Sequence, residues 1–129
     1  MNLLYSVFIR EDAKDRGILR KVKSQSIVFK KEFENVYLYI TRNEEAVLYK
    51  VEIDDMLEIQ TFRYNTFSSF KEGSRIRKIR GFLRYNLFLK YLNEIIQLYE
   101  IDILYMRESP QTKKMMSIVK NKRLIKLLE

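Results

Sequence analysis

The sequence predicts an α/β domain with a mainly parallel sheet flanked by helices. Two segments and the length carry that expectation. Asn2-Leu3-Leu4-Tyr5-Ser6-Val7-Phe8-Ile9 is a continuous apolar run that breaks into a charged loop, residues 10–17, and then into a helical pattern. Ile101-Asp102-Ile103-Leu104-Tyr105-Met106 repeats this plan and breaks at Arg107-Glu108-Ser109-Pro110. Strands that are apolar on both faces and alternate with helices belong to parallel sheets covered on both sides. In such sheets ligands sit outside the carboxyl ends of the strands, so the loops after these two strands form the expected working end. A length of 129 residues suits one domain with a sizeable core, and we read residues 1–129 as that single domain.

The remaining elements follow in order. Gly17 to Phe33 reads as a helix, with Ile18, Val22, Ile27, Phe29 and Phe33 apolar and Asp15 placed as its N-cap. Val36 to Thr41 is a second strand, completing a β-α-β unit. Arg42-Asn43-Glu44-Glu45 is too short for a parallel crossover, so Ala46 to Glu52 is expected to return antiparallel in a hairpin. Leu57 to Tyr64 alternates with period two, as an exposed or edge strand does, and residues 65–74 read as a loop. Ile76 to Tyr99 is the longest helical pattern; Gly81 inside it marks close packing or the true helix start. Pro110 to Arg123 reads as a final helix, with Ser109 as its cap and Leu124 and Leu127 continuing its apolar positions.

Composition narrows the chemistry. With no Cys and no His, the chain has no disulfide, no nucleophile–histidine pair and no conventional zinc site. No catalytic residue, metal or cofactor is assigned. The first residues are not a secretory signal, no apolar run approaches the ~18 residues of a membrane span, and the expected location is cytoplasmic, with a peripheral position at the membrane compatible. The net charge of +8 is unevenly spread. Arg75, Arg77, Lys78, Arg80 and Arg84 form one cluster, and Lys113, Lys114, Lys120, Lys122, Arg123 and Lys126 another. Such an excess favours anionic partners: nucleic acid, anionic lipid or phosphorylated substrates. The first cluster interleaves with Phe82 and Tyr85, a pattern compatible with stacked single-stranded bases, an anionic membrane surface, or a helix whose aromatics are simply in the core.

Two places carry candidate binding residues. No glycine-rich phosphate fingerprint is present. Lys14, Arg16 and Gly17 nevertheless sit where a helix follows a strand, and free N–H groups with a positive dipole end favour an anion there. The alternative is an ordinary loop in which Gly17 provides a turn or close packing. Arg107, with Ser109 two residues on, stands at the carboxyl end of the second strand; its guanidinium suits a forked pair of hydrogen bonds to phosphate or carboxylate, or an ion pair with Glu108. The carboxylate pairs Glu11-Asp12, Glu44-Glu45 and Asp54-Asp55 read as solvated turns.

Taken together, Asp15-Arg16-Gly17-Ile18-Leu19-Arg20-Lys21-Val22, Asn35-Val36-Tyr37-Leu38 and Asp102-Ile103-Leu104-Tyr105-Met106-Arg107 resemble the N-terminal domain of GT-B glycosyltransferases, in the large retaining (family 4-like) group that includes bacterial polysaccharide enzymes. The resemblance implies a Rossmann-like domain on the acceptor side of a two-domain enzyme, with Lys14, Arg16, Gly17, Arg107 and Ser109 near a glycan or lipid-linked acceptor. It implies that the chain is a truncated half of that enzyme, inactive alone, because the nucleotide-sugar domain is absent and a further strand is due after the last helix. A missing strand would expose a sheet edge and favour a homo-oligomer. The alternatives from other classes are a small basic nucleic-acid-binding protein and an oligomerising interaction domain.

Overall fold

The computed structural model describes residues 1–9, 15–42, 45–63, 74–106 and 125–128. In chain order the elements are β1 (Asn2–Phe8), α1 (Asp15–Glu32), β2 (Asn35–Thr41), β3 (Glu45–Val51), β4 (Met56–Arg63), α2 (Ser74–Leu98), β5 (Ile103–Met106) and β6 (Ile125–Leu128). The strands form one sheet in the order β4-β3-β2-β1-β5-β6.

The apolar runs read as central strands are central. β1 pairs in parallel with β2 on one side and with β5 on the other, and β5 pairs in parallel with β6. The short link after Thr41 makes the expected hairpin: β2 and β3 are antiparallel, closed by the Arg42 N–H donating to the Glu45 carbonyl at 2.8 Å. A second tight turn, in which the Glu52 N–H donates to the Asp55 carbonyl, returns the chain antiparallel as β4. The sheet is therefore mixed, parallel on the β1–β5 side and antiparallel through β2, β3 and β4, and the fold is a small α/β domain rather than a uniformly parallel one.

The two faces carry separate cores. Leu3, Tyr5, Val7, Leu38, Ile40 and Tyr105 pack with Val22 of α1 on one face. Leu4, Tyr39, Leu48, Leu104 and Met106 pack with Phe88, Leu92, Ile95 and Ile96 of α2 on the other. Alternation along each strand sends successive side chains to opposite helices, which is why β1 and β2 need apolar residues at almost every position. Gln25 docks α1 by accepting from the Tyr5 hydroxyl at 3.0 Å and receiving a partner in Tyr105, toward whose hydroxyl its amide donates at 3.2 Å.

β4 is the outer strand beyond β3, and Leu57 to Thr61 are exposed. Its ladder to β3 slips by one residue: Leu48 pairs with Gln60 but Tyr49 with Glu58, leaving Ile59 as an extra residue in a β-bulge.

Several boundaries depart from expectation. α2 begins at Ser74, so Gly81 lies inside the helix and does not start it. Asp15, expected as a cap, opens α1 itself. The expected helix Pro110–Arg123 lies outside the described residues. The strand thought to be missing is present: Ile125–Leu128 pairs with Ile103–Met106, because four apolar-rich residues gain strand character from the neighbour they extend. The expectation of an unfilled sheet position after β5, which motivated the homo-oligomer, is corrected accordingly.

Candidate functional site

The two ends of the sheet are built differently. At the amino end, Asn2 ties three elements together. Its side-chain amide donates to the carbonyls of Tyr99 and Glu100, both at 3.1 Å, and its Oδ1 accepts from the Asn35 amide at 2.9 Å. Its backbone N–H donates to Asp102 Oδ2 at 2.8 Å, and the Asp102 N–H donates back to the Asn2 carbonyl at 2.9 Å. α2 stops there in a Schellman arrangement: the Ile101 N–H donates to the Ile96 carbonyl and the Glu100 N–H to the Gln97 carbonyl. Glu100 takes the left-handed position, φ 51°, that glycine usually fills.

At the carboxyl end no comparable set of hydrogen bonds is made among the described residues. Ser6 and Thr41 are 1% and 5% exposed, and neither hydroxyl has a hydrogen-bond partner among the described residues. The buried Tyr85 hydroxyl of α2 is in the same condition. These groups share one face. Leu4 and Tyr39 lie on the α2 side of the sheet, so Ser6 and Thr41, each two residues further along its strand, face α2 as well. Ser6 pairs with Tyr39 and Met106, and Thr41 with Phe8 and Ala46. A buried polar group left without a partner costs about 1–3 kcal/mol, and such groups are uncommon enough to need an explanation. Ser26 in α1 shows the ordinary solution: fully buried, it donates to the Val22 carbonyl at 2.8 Å.

α2 covers this end and continues beyond it. The Phe88 ring meets Phe8, the last residue of β1, at 4.8 Å, and the Tyr99 ring meets Tyr37 near the amino end of β2 at 4.9 Å. The helix thus runs antiparallel to β1, and its turns before Tyr85, residues 74–84, extend for about 16 Å past the carboxyl ends of β1 and β2 at 1.5 Å per residue. The cluster Arg75, Arg77, Lys78, Arg80 and Arg84 belongs to this overhanging part.

Of the other expected binding residues, Arg16 and Gly17 are among the described residues. Arg16 and Gly17 are exposed in the first turn of α1, which follows β1. Lys14, Arg107 and Ser109 lie outside the described residues; in sequence Arg107 follows Met106, the register partner of Ser6. Gly17 is not a turn or packing glycine: its φ is not positive, and an added Cβ would meet nothing within 4 Å. Ser6 and Thr41 were not expected. Ser6 is the one serine or threonine in the run Leu3 to Ile9, and that interruption was the available signal.

The perturbed ionisations lie elsewhere. Burial, then Tyr99 and Glu52, pushes the Tyr37 phenol above its ordinary 10.0. Burial, then the opposed Glu58, pushes Tyr49 up, against a partial offset from Arg42 and a small addition from Glu45. Among the described residues no helix is long and apolar enough to cross a membrane.

Comparison with known proteins corrects the family expectation. No protein-family model matches the chain, and no curated protein matches it. A solved structure that does match is a secreted C11 cysteine protease from Bacteroides thetaiotaomicron, "iotapain", at 9% identity and a TM-score of 0.47, over 82% of this chain and 28% of that one. The chain thus corresponds to under a third of the protease. None of these findings is a glycosyltransferase, and the structural match carries a protease name instead. The glycosyltransferase reading, with the glycan or lipid-linked acceptor it implied, is withdrawn; each of its three sequence pieces is a strand–helix commonplace that an α/β domain of another kind reproduces. The protease's chemistry does not transfer either, since a cysteine nucleophile cannot come from 129 residues that contain no cysteine.

Proposed function

We propose that this chain is a binding domain that engages an anionic partner at the carboxyl end of its parallel strands. The observation that carries the reading is that β1 and β5 are adjacent and parallel, with the sequence-basic part of α2 reaching past the same end of the sheet. In sequence Lys14, Arg16 and Gly17 follow β1, Arg107 and Ser109 follow β5, and Arg75, Arg77, Lys78, Arg80 and Arg84 belong to the first turns of α2. Guanidinium and ammonium groups around free helix N–H groups favour oxyanions by charge and by hydrogen-bond geometry.

Isothermal calorimetry with pyrophosphate at low ionic strength tests this. The wild type is expected to bind, more weakly as salt rises. Lys14→Ala and Arg107→Ala are expected to lower the affinity about tenfold each, by loss of a charge-assisted contact. Arg20→Ala and Lys23→Ala, at exposed positions on α1, serve as charge-matched controls. Absence of binding, or equal losses in the controls, overturns the proposal.

A further inference from the structure

We infer that the outer face of α1 is a docking surface for the phosphate backbone of double-stranded nucleic acid. This surface is separate from the end of the sheet described above and takes a polymer rather than a small oxyanion. Arg16, Arg20, Lys21, Lys23 and Lys31 are all exposed on α1, and Asp15 and Glu32, its acidic residues, stand at the two ends of the helix. None of these cations forms an ion pair among the described residues; the ion pairs there join the amino terminus to Glu34 and Lys50 to Glu52. At 100° per residue, Arg16, Arg20, Lys23, Lys31 and the exposed Ser24 fall within about 100° of one another, on the side of the helix away from Val22 and Phe29, which pack on the core. From Arg16 to Lys31 the row runs for about 22 Å. On its own such a row burdens the helix. Arg16 and Arg20 repel as i,i+4 neighbours, and Arg16 sits in the first turn, against the helix dipole. A polyanion laid along the row relieves both. The occupant follows from what the face holds and lacks. Val28 is the one apolar side chain among the exposed positions of α1, because Ile18, Leu19, Ile27, Phe29 and Phe33 pack on the core, so no apolar stripe is left to enter a membrane. With both phenylalanines packed there, α1 offers no exposed ring on which unpaired bases could stack. A row of cations with a hydroxyl among them, on a helix narrow enough for a groove about 12 Å wide, suits duplex phosphates, which Arg, Lys and Ser contact without reading sequence.

Fluorescence anisotropy with labelled DNA duplexes of about 16 base pairs and two unrelated sequences, from about 50 to 200 mM salt, tests this. The wild type is expected to bind both duplexes alike. The double variant Arg20→Gln, Lys23→Gln should bind about tenfold more weakly at the low-salt end and flatten the slope of log affinity against log salt by about 2, close to one for each lost phosphate contact. Lys50→Gln, Lys90→Gln removes the same charge from positions off α1 and should change the slope by less than half as much. Glutamine keeps the helix propensity, so the α1 variant should melt no lower than the wild type. It should also keep the wild-type affinity for pyrophosphate, because that ligand is assigned to the end of the sheet. An α1 variant that melts several degrees lower assigns the row to stability and overturns the inference. Equal losses in the two double variants reduce it to net charge and overturn it. So does a wild type that ignores the duplexes and sediments with phosphatidylserine vesicles, or one that prefers single strands. A wild type that binds pyrophosphate but no duplex overturns it and leaves the earlier reading standing; duplex binding of the expected pattern without pyrophosphate binding does the reverse.

Discussion

Replacing Asn2 by Ala should be the most damaging single change at the amino end of the sheet. Its side chain makes three hydrogen bonds, two donated to the last carbonyls around α2 and one accepted from Asn35. Each is worth about 0.5–1.5 kcal/mol net, with the solvent-exposed bond to Glu100 at the bottom of that range. The loss is therefore about 2 kcal/mol, and the apolar side chains nearby do not compensate because Ala reaches none of the three partners. A domain of this length has an unfolding entropy near 270 cal/mol/K at about 2.1 cal/mol/K per residue, so the melting temperature should fall by about 7 °C. Calorimetric melting of Asn2→Ala measures it directly. Asp102→Asn is the companion variant, since an amide oxygen still accepts from the Asn2 backbone N–H, and it should cost under about 1 kcal/mol. A fall of less than about 2 °C for Asn2→Ala would show that the carbonyls find water equally well, and that Asn2 is not what joins α2 to β1.

Further outcomes follow from single positions. Glu100→Gly should stabilise by up to about 1 kcal/mol, because a left-handed residue at φ 51° loses its Cβ conflict; a drop in denaturant midpoint would contradict it. Gly17→Ala should also stabilise, by about 0.5 kcal/mol, since the helical φ and the open space suit alanine; urea unfolding with an unchanged slope is the check. The raised phenols of Tyr37 and Tyr49 make the folded state hold protons that the unfolded chain loses around 10.0. Stability from this source is complete below that pH and is lost as pH rises through the higher folded values. Denaturation measured from pH 8 to 11 should therefore show a steeper alkaline decline in the wild type than in the Tyr37→Phe, Tyr49→Phe double variant; parallel curves would dismiss the linkage.

Much of the architecture was legible because the signals were local. The uninterrupted apolar runs of β1 and β2 can be satisfied only by burial on both faces, and the link after Thr41 is too short for anything but a hairpin. β6 was not legible, because Ile125-Lys126-Leu127-Leu128 fits a helix end as well as a strand, and only Ile103–Met106 alongside decides between them. Of the candidate site, charge and strand order singled out one end of the sheet, the one Arg16 follows in sequence, while Lys14, Arg107 and Ser109 lie outside the described residues. Ser6 and Thr41 escaped because a single hydroxyl inside an apolar strand becomes informative only when its neighbours across the sheet and in α2 are known to offer it nothing. Gly17 misled for the opposite reason: its residue type suggests a special backbone, and its actual backbone is helical.

The extra residue in β4 has a consequence for how copies of this domain coexist. Ile59 kinks an outer strand whose backbone on one side has no neighbour within the sheet, and a kinked edge is a poor template for a second strand. Because Ile59 is the one residue without a counterpart on β3, its deletion leaves both halves of the ladder in register and straightens the strand between them. The native fold would survive with little loss, while Leu57 and the remaining exposed positions would line a flat, continuous edge. In a concentrated solution that shortened chain is expected to assemble edge to edge more readily than its parent, because the kink that spoils the template is gone.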